Sequence, residues 1–238
     1  YGMVAYQTAY MKANYPAEFM TAVLSADAGD TEKIAETIAE CKRMELPVLP
    51  PDINESFGDF TVIKIGEKDG IRFGLYTIKN LGAEIARVII EERKNNGNFE
   101  SLSNFLERIH HRNLNKKSLD ALIKSGAMDA FGERGLMIAN MEGALEYNKE
   151  TASVAQSQNS LFGLMEDKQT LPGLKFKDAP PALLEEKLGW EKELLGLYVS
   201  GHPLEKFKDK LEKLKINIAG AKKLPDNMPV VLGGFIEE

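Results

Sequence analysis

A tight turn near the middle of the sequence carries residues suited to bind a phosphate group through the backbone. The turn is made of Lys79, Asn80, Leu81, Gly82 and Ala83. It leads into a helical pattern from 84 to 93, and N–H groups at the start of a helix can donate to a phosphate. Gly82 permits close approach to the backbone, and Asn80 tolerates the left-handed conformation that such a turn uses. These residues predict contact with the DNA backbone without reading of bases.

A second turn of the same kind follows, where residues 110–115 join the helical patterns 102–109 and 116–124. Its candidate contact residues are Asn115, Lys116 and Lys117. Between residues 79 and 124 there are nine Lys and Arg against six Asp and Glu, a local charge of +3 in a chain of net charge −6. The sequence therefore predicts a tandem helix-hairpin-helix module with a local DNA-binding surface. A helical packing module with a solvated surface is the alternative.

The composition excludes several other classes of protein. With 238 residues, 43% of them hydrophobic and 28% charged, the chain has the size and balance of a folded protein of one or two domains. One cysteine, Cys41, excludes an internal disulfide framework, and three histidines show no metal-ligand spacing. We expect no catalytic residue, no metal site and no cofactor in this chain. The sequence holds neither an apolar run of membrane-spanning length nor a signal peptide, so no membrane partner is expected.

Hydrophobic periodicity predicts a mainly α-helical fold with one small β-hairpin. Outside the two turns, helices are expected at 2–14, 16–25, 31–44, 134–149, 182–195 and 203–214. Three prolines keep 46–51 extended. Strands at 60–65 and 71–75 form the expected hairpin around 68–70, and 229–236 is expected to be a strand.

Residues 151–181 are expected to be a flexible linker, because they are rich in Ser, Gln and Ala and then hold three prolines. Within them, Leu161 and Phe162 are adjacent apolar residues among polar neighbours. In an extended segment, such a pair can enter two subsites of a partner's groove while the Gln158 amide orients the peptide. The alternative is that both apolar side chains pack onto their own domain.

Taken together, these segments resemble the alpha subunit of bacterial DNA polymerase III, a C-family replicative polymerase. Residues 6–19 resemble the end of its fingers, and 114–127 its second hairpin. Gln158, Leu161 and Phe162 resemble its internal sliding-clamp motif, Gln-x-x-Leu-Phe, and 195–204 resembles the segment before its OB-fold. Asn80 stands where the family usually has a glycine.

The resemblance implies a division of the chain into six parts. These are the C-terminal part of the fingers (1–56), a β-hairpin connection (57–76), the tandem helix-hairpin-helix domain (77–150), a linker with the clamp motif (151–181), a helical segment (182–228) and the start of an OB-fold (229–238). The chain is then expected to be a fragment of a longer protein.

The function implied is that of one part of a DNA-directed DNA polymerase in the bacterial cytoplasm. The family transfers nucleotides with palm aspartates and Mg²⁺, and that palm is expected upstream of Tyr1. The implied partners are duplex DNA, the sliding clamp (the beta subunit) and other replicase subunits. Three alternatives stay open: a non-catalytic helix-hairpin-helix repair protein, an accessory error-prone alpha-type polymerase, and a helical scaffold without a role on DNA.

Overall fold

The described part of the chain consists of packed helices and one small sheet. The computed structural model describes residues 1–158, 173–201, 203–212, 214, 218–221, 224–225 and 228–234. The α-helices are α1 (Gly2–Asn14), α2 (Pro16–Ala26), α3 (Thr31–Arg43), α4 (Ala83–Asn96), α5 (Leu102–Arg108), α6 (Lys116–Lys124), α7 (Arg134–Ala139), α8 (Met141–Gln158), α9 (Leu184–Leu195), α10 (Lys208–Glu212) and α11 (Ile218–Ala221). The strands are β1 (Val48–Leu49), β2 (Thr61–Ile65) and β3 (Lys68–Arg72). The predicted fold class, mainly α with a helix-hairpin-helix domain, is confirmed.

The first three helices follow the sequence pattern closely. Pro16 occupies the first turn of α2, where its missing N–H costs no hydrogen bond. Asp30 caps α3 by accepting from the N–H of Lys33 at 3.2 Å. Cys41 is fully buried in α3 and serves as a small apolar core residue, and this burial raises the pKa of its thiol to about 11.

The sheet differs from the predicted hairpin in register and in size. The strands lie in the order β1-β3-β2, with β2 antiparallel and β1 parallel to β3. The turn expected at 68–70 is instead at Gly66 and Glu67, because Ile65 pairs with Lys68 and Gly66 has a φ of +63°. The prediction also placed 71–75 in a strand, but β3 ends at Arg72 and a 3-10 turn covers Leu75–Thr77.

A continuous core joins the helices of the two hairpins. Ile85 and Ile89 from α4, Phe105 from α5, and Leu119 and Leu122 from α6 all have no exposed surface. Each such side chain contributes roughly 1.5–3 kcal/mol through its burial. The core therefore fixes α4, α5 and α6 relative to one another and sets where their ends lie.

Helix α8 extends into the range expected to be a linker. Helix α8 continues to Gln158, eight residues into the range 151–181, since Ala and Gln favour helix even in a polar stretch. Thr151 is buried, and its hydroxyl lies 3.1 Å from the Nε2 atom of His110. Further on, Lys177 is held at both backbone groups by the Asn140 side chain. The ends of the range are thus packed on the helices.

The C-terminal segment is less regular than predicted. Helix α9 ends at Gly196 in a left-handed conformation, with a φ of +83°. The helix expected at 203–214 is a 3-10 turn at Glu205–Phe207 followed by the short α10. Of the strand expected at 229–236, residues 229–234 are described and are not assigned to a strand. Among the described helices, none has the length and apolar character needed to cross a membrane.

Candidate nucleic-acid interface

The first hairpin is a short turn pinned to the core by its apolar residues. Ile78 and Leu81 are 1% and 5% exposed, and the N–H of Leu81 donates to the Ile78 carbonyl at 3.1 Å. Asn80 has a φ of +70°, so it adopts the left-handed conformation that the sequence predicted. The predicted site residue Leu81 is thus an anchor, whereas Lys79, Asn80, Gly82 and Ala83 are exposed.

The N-terminus of α4 is open. Gly82 is its N-cap residue, and no side chain in the described part of the chain caps it. The first backbone bond of the helix runs from the N–H of Ala86 to the Gly82 carbonyl at 3.2 Å. A Cβ at Gly82 would meet nothing within 4 Å, so no packing inside the described protein requires a glycine there. Gly82, Ala83 and Glu84 are exposed, so an anion can approach the start of this helix.

The second hairpin is built differently, because its helix caps itself. The side chain of Asn115 accepts from the N–H groups of Lys117 and Ser118 at 3.0 and 3.2 Å. Ser118 completes a capping box by accepting from the N–H of Asn115 at 2.9 Å. The N–H groups of Asn115 and Lys117, two of the candidate contact residues, are therefore already bonded within the protein. The Asn-x-x-Ser pattern was a readable signal for this cap, and it was missed.

Glu84 connects the two hairpins. Its carboxylate in the first turn of α4 accepts from the Asn113 side chain at 2.6 Å. The same carboxylate lies 3.8 Å from the His111 ring and 3.9 Å from the Arg112 guanidinium. The loop of the second hairpin therefore lies against the N-terminus of α4, and the two sets of candidate residues are neighbours.

Many of the basic residues counted in the sequence have structural roles. Arg93 is 7% exposed and donates to the carbonyls of Ile53 and Ser56, and burial lowers the pKa of its guanidinium. Arg108 donates to Glu92 and to the Gly97 carbonyl. The exposed basic residues at the two hairpin turns are Lys79, Arg112, Lys116 and Lys117, and Arg87 and Lys94 are exposed further along α4. The local excess of positive charge is thus concentrated on fewer side chains than the sequence count implied.

The charge of Lys116 is only weakly engaged by the protein. Its ammonium lies 3.1 Å from the Glu142 carboxylate, and these side chains are 67% and 82% exposed. A pair so exposed to solvent contributes little stability. A phosphate can therefore replace Glu142 as the partner of Lys116 at small cost.

A contact that sequence reasoning missed joins the first hairpin to α9. The N–H of Lys79 donates to the Leu194 carbonyl at 3.0 Å. Helix α9 is held in turn by a buried ion pair, in which the Arg134 guanidinium lies 3.0 Å from Glu191. Burial opposes the charge of Arg134, but its bonds to Asp129 and Glu191 raise the pKa of Arg134 overall. Because Arg134 and Glu191 are 57 positions apart, no local sequence pattern reports this link.

The clamp pattern lies mostly outside the described residues. Gln158 is the last residue of α8, its side chain is not described, and Leu161 and Phe162 lie outside the described residues. Within the described ranges, no group of three or more His, Cys, Asp or Glu side chains is arranged to hold a metal ion.

Comparison with known proteins agrees with the geometry of the hairpins. The family described as "Helix-hairpin-helix motif" matches residues 45–135. The chain is 49% identical over 209 residues to the DNA polymerase III subunit alpha of Deinococcus radiodurans, covering 86% of this chain and 15% of that protein. It is 40% identical over 242 residues to the subunit of Thermus aquaticus, covering 100% of this chain and 19% of that protein. The chain is homologous to DNA polymerase III alpha subunits.

The homology to DNA polymerase III alpha extends well outside the hairpins. A third relative, from Campylobacter jejuni, is 35% identical over 244 residues and again matches 100% of this chain, which spans 20% of that relative. The resemblance seen in the sequence is thereby confirmed. The family match begins at residue 45, well before the predicted domain start at 77. The structure explains this, because Arg93 of α4 binds the carbonyls of Ile53 and Ser56 and ties the preceding segment to the hairpins.

Proposed function

We propose that this chain is the part of a bacterial replicative DNA polymerase that holds the backbone of duplex DNA. The observation that carries the proposal is the uncapped N-terminus of α4 beside exposed Lys79, next to a second hairpin that presents Lys116 and Lys117. Helix N–H groups and lysines bind phosphates without reading bases, so the grip suits a polymerase that must pass over any sequence. The names of the homologous proteins support the same role.

The two hairpins contribute to this grip in different ways. The N–H groups at Gly82 and Ala83 donate to one phosphate, and the left-handed turn at Asn80 keeps them exposed. Lys116 and Lys117 contribute positive charge rather than free backbone N–H groups, because the Asn115 side chain already caps their helix. Similarity over 100% of the chain to polymerase subunits favours this role over that of a repair protein sharing only the hairpins.

Nucleotidyl transfer with Mg²⁺ is proposed for the parent protein, in the bacterial cytoplasm with other replicase subunits. The chain spans between 15% and 20% of the length of the relatives named above. We propose that the catalytic carboxylates belong to another part of that protein. In this proposal, the present chain binds DNA and supplies no residue to the reaction centre.

Replacing both lysines of the second hairpin tests the grip on DNA. For the Lys116→Ala and Lys117→Ala double variant, we expect weaker duplex binding and a plot of log affinity against log salt that is shallower by about 1–2, since each phosphate contact contributes roughly 0.9. Fluorescence anisotropy at several salt concentrations measures this. In the matched control, Lys33 and Lys42, two basic residues of α3, are replaced with Ala. An equal effect of both double variants, or a strong preference for one DNA sequence, would contradict the proposal.

We also propose that Gln158, Leu161 and Phe162 bind the sliding clamp. Support comes from the sequence pattern and its position directly after the hairpin domain. Replacing Leu161 and Phe162 with Ala should abolish binding in a clamp titration and leave the melting temperature nearly unchanged, because no core is opened. A large fall in melting temperature with clamp affinity retained would show that the pair packs on its own domain.

A further inference from the structure

Glu84 is a carboxylate at the surface proposed to receive a phosphate. It lies two residues after Gly82 in the first turn of α4, and its side chain is 47% exposed. A negative charge there stabilises the helix through its dipole. The same charge should repel a phosphate bound at Gly82, so DNA binding alone would favour its absence.

The contacts of Glu84 offer a reason for its presence. Its Oε2 atom accepts from Asn113 at 2.6 Å, and Asn113 in turn accepts at its carbonyl from the Ser118 hydroxyl at 2.7 Å. Ser118 is the residue that completes the cap of α6 with Asn115. A continuous chain of hydrogen bonds therefore runs from the first turn of α4 to the first turn of α6. His111 and Arg112, at 3.8 and 3.9 Å, offset part of the carboxylate's charge.

We infer that Glu84 is a positioning residue that fixes the second hairpin's loop against the first, so that both hairpins engage one duplex together. The inference rests on the proposed function. The core already anchors this loop at the buried residues Ile109 and Leu114, and Glu84 contacts the partly exposed stretch between them. Two contacts at a fixed spacing bind far better than two that must be ordered first, since the second contact then becomes intramolecular.

For the Glu84→Ala variant, a positioning role and simple electrostatics predict opposite changes in the affinity for duplex DNA. Charge removal alone should tighten duplex binding. Loss of the bridge should weaken duplex binding by roughly three- to tenfold, the net contribution of one ordinary hydrogen bond, and should make the salt dependence shallower. Glu84→Gln keeps an acceptor for Asn113 and should restore both the affinity and the slope. Glu100→Ala removes an exposed carboxylate from the same module without touching the bridge, and it should not weaken binding.

Asn113→Ala provides a second route to the same result, because it breaks the bridge outside any helix. We expect it to reproduce Glu84→Ala, and the double variant to bind no more weakly than either single one. Anisotropy titrations at several salt concentrations, with a thermal melt of each variant, supply the readouts. Tighter or unchanged binding by Glu84→Ala, or failure of Gln to restore it, overturns the inference. Wild-type protein that shows no salt-sensitive duplex binding overturns the proposed function itself.

Discussion

Asn80 shows how far a single residue can be understood from its type. Its position in the first hairpin indicated a left-handed turn, and the structure gives it a φ of +70°. The left-handed conformation costs a residue with a Cβ roughly 1–2 kcal/mol, although the cost is smaller for Asn than for most residues. The turn therefore depends on a residue that tolerates strain, and its neighbours Ile78 and Leu81 hold it in place.

This strain gives a testable prediction at the residue scale. We expect Asn80→Gly to keep or slightly raise the free energy of unfolding, and Asn80→Ala to lower it by about 1 kcal/mol, because only the latter forces a Cβ into the left-handed region without local hydrogen bonding. Urea unfolding of the three proteins measures the difference. Equal stability of the Ala and Gly variants would mean that the positive φ is not maintained in solution.

At the scale of elements, α9 supports the first hairpin. Glu191 is 1% exposed, and one of its oxygens binds Arg134 while the other accepts from the N–H groups of Val199 and Ser200 at 2.9 Å. These bonds hold α9 where the Leu194 carbonyl can receive the N–H of Lys79. Removing Glu191 is therefore costly, because buried Arg134 loses one of its two carboxylate partners, Asp129 being the other. The N–H groups of Val199 and Ser200 also lose their acceptor.

Removing the Glu191 carboxylate should therefore affect both stability and the DNA surface. We expect Glu191→Ala to lower the free energy of unfolding by roughly 3–5 kcal/mol, and Glu191→Gln to cost less because it still offers an acceptor to the backbone. Chemical denaturation measures the cost, and duplex titration should show weaker binding. The matched control is Glu193→Ala, at an exposed position of the same helix. Comparable losses of stability and binding in the Glu191→Ala and Glu193→Ala variants would show that the Glu191 carboxylate does not hold α9 against the hairpin.

The elements also show what sequence can and cannot predict. Helices such as α3 and α6 were recognised because the spacing of their apolar residues is a local pattern. The strand β1 was missed, because its two residues lie between prolines and acquire their role only by pairing with Ile71 and Arg72. Likewise, the contact between Arg134 and Glu191 depends on the packing of distant helices. Local chemistry placed the candidate residues and also capped α6 through Asn115 and Ser118, whereas tertiary packing placed α9 against the first hairpin.

At the scale of the whole molecule, charge is distributed unevenly. The chain carries a net charge of −6, yet the exposed residues Lys79, Arg112, Lys116 and Lys117 cluster at the hairpins. In the proposed function, these side chains supply the positive charge that attracts DNA, whereas the net charge of −6 opposes binding elsewhere on the chain. Such a field orients an approaching duplex and favours binding in one pose.

Carboxylates that join distant elements also make the stability of the whole molecule depend on pH. Burial raises the pKa of Glu133, but hydrogen bonds from Lys187 and from the N–H groups of Leu136 and Ala182 outweigh it and lower this pKa to about 2. Hydrogen bonds from Arg43 and Lys12 lower the pKa of Glu40 to about 2. Glu133 thus ties α7 to α9, and Glu40 ties α3 to α1.

Because both pKa values are lower in the folded state than the ordinary 4.5, these carboxylates stabilise the fold fully above pH 4.5. That stability is lost as the pH falls from 4.5 towards 2, when the folded protein must take up the protons that the unfolded chain already holds. We expect the free energy of unfolding to decline through this window, and Glu133→Gln to decline less steeply from a lower starting value. Urea unfolding at intervals between pH 6 and 2.5 measures both slopes. Glu100→Gln, at an exposed position without an ion pair in the described part of the chain, should keep the wild-type slope. If Glu133→Gln also kept it, the bonds to Lys187 and the backbone would not be the source of the acid sensitivity.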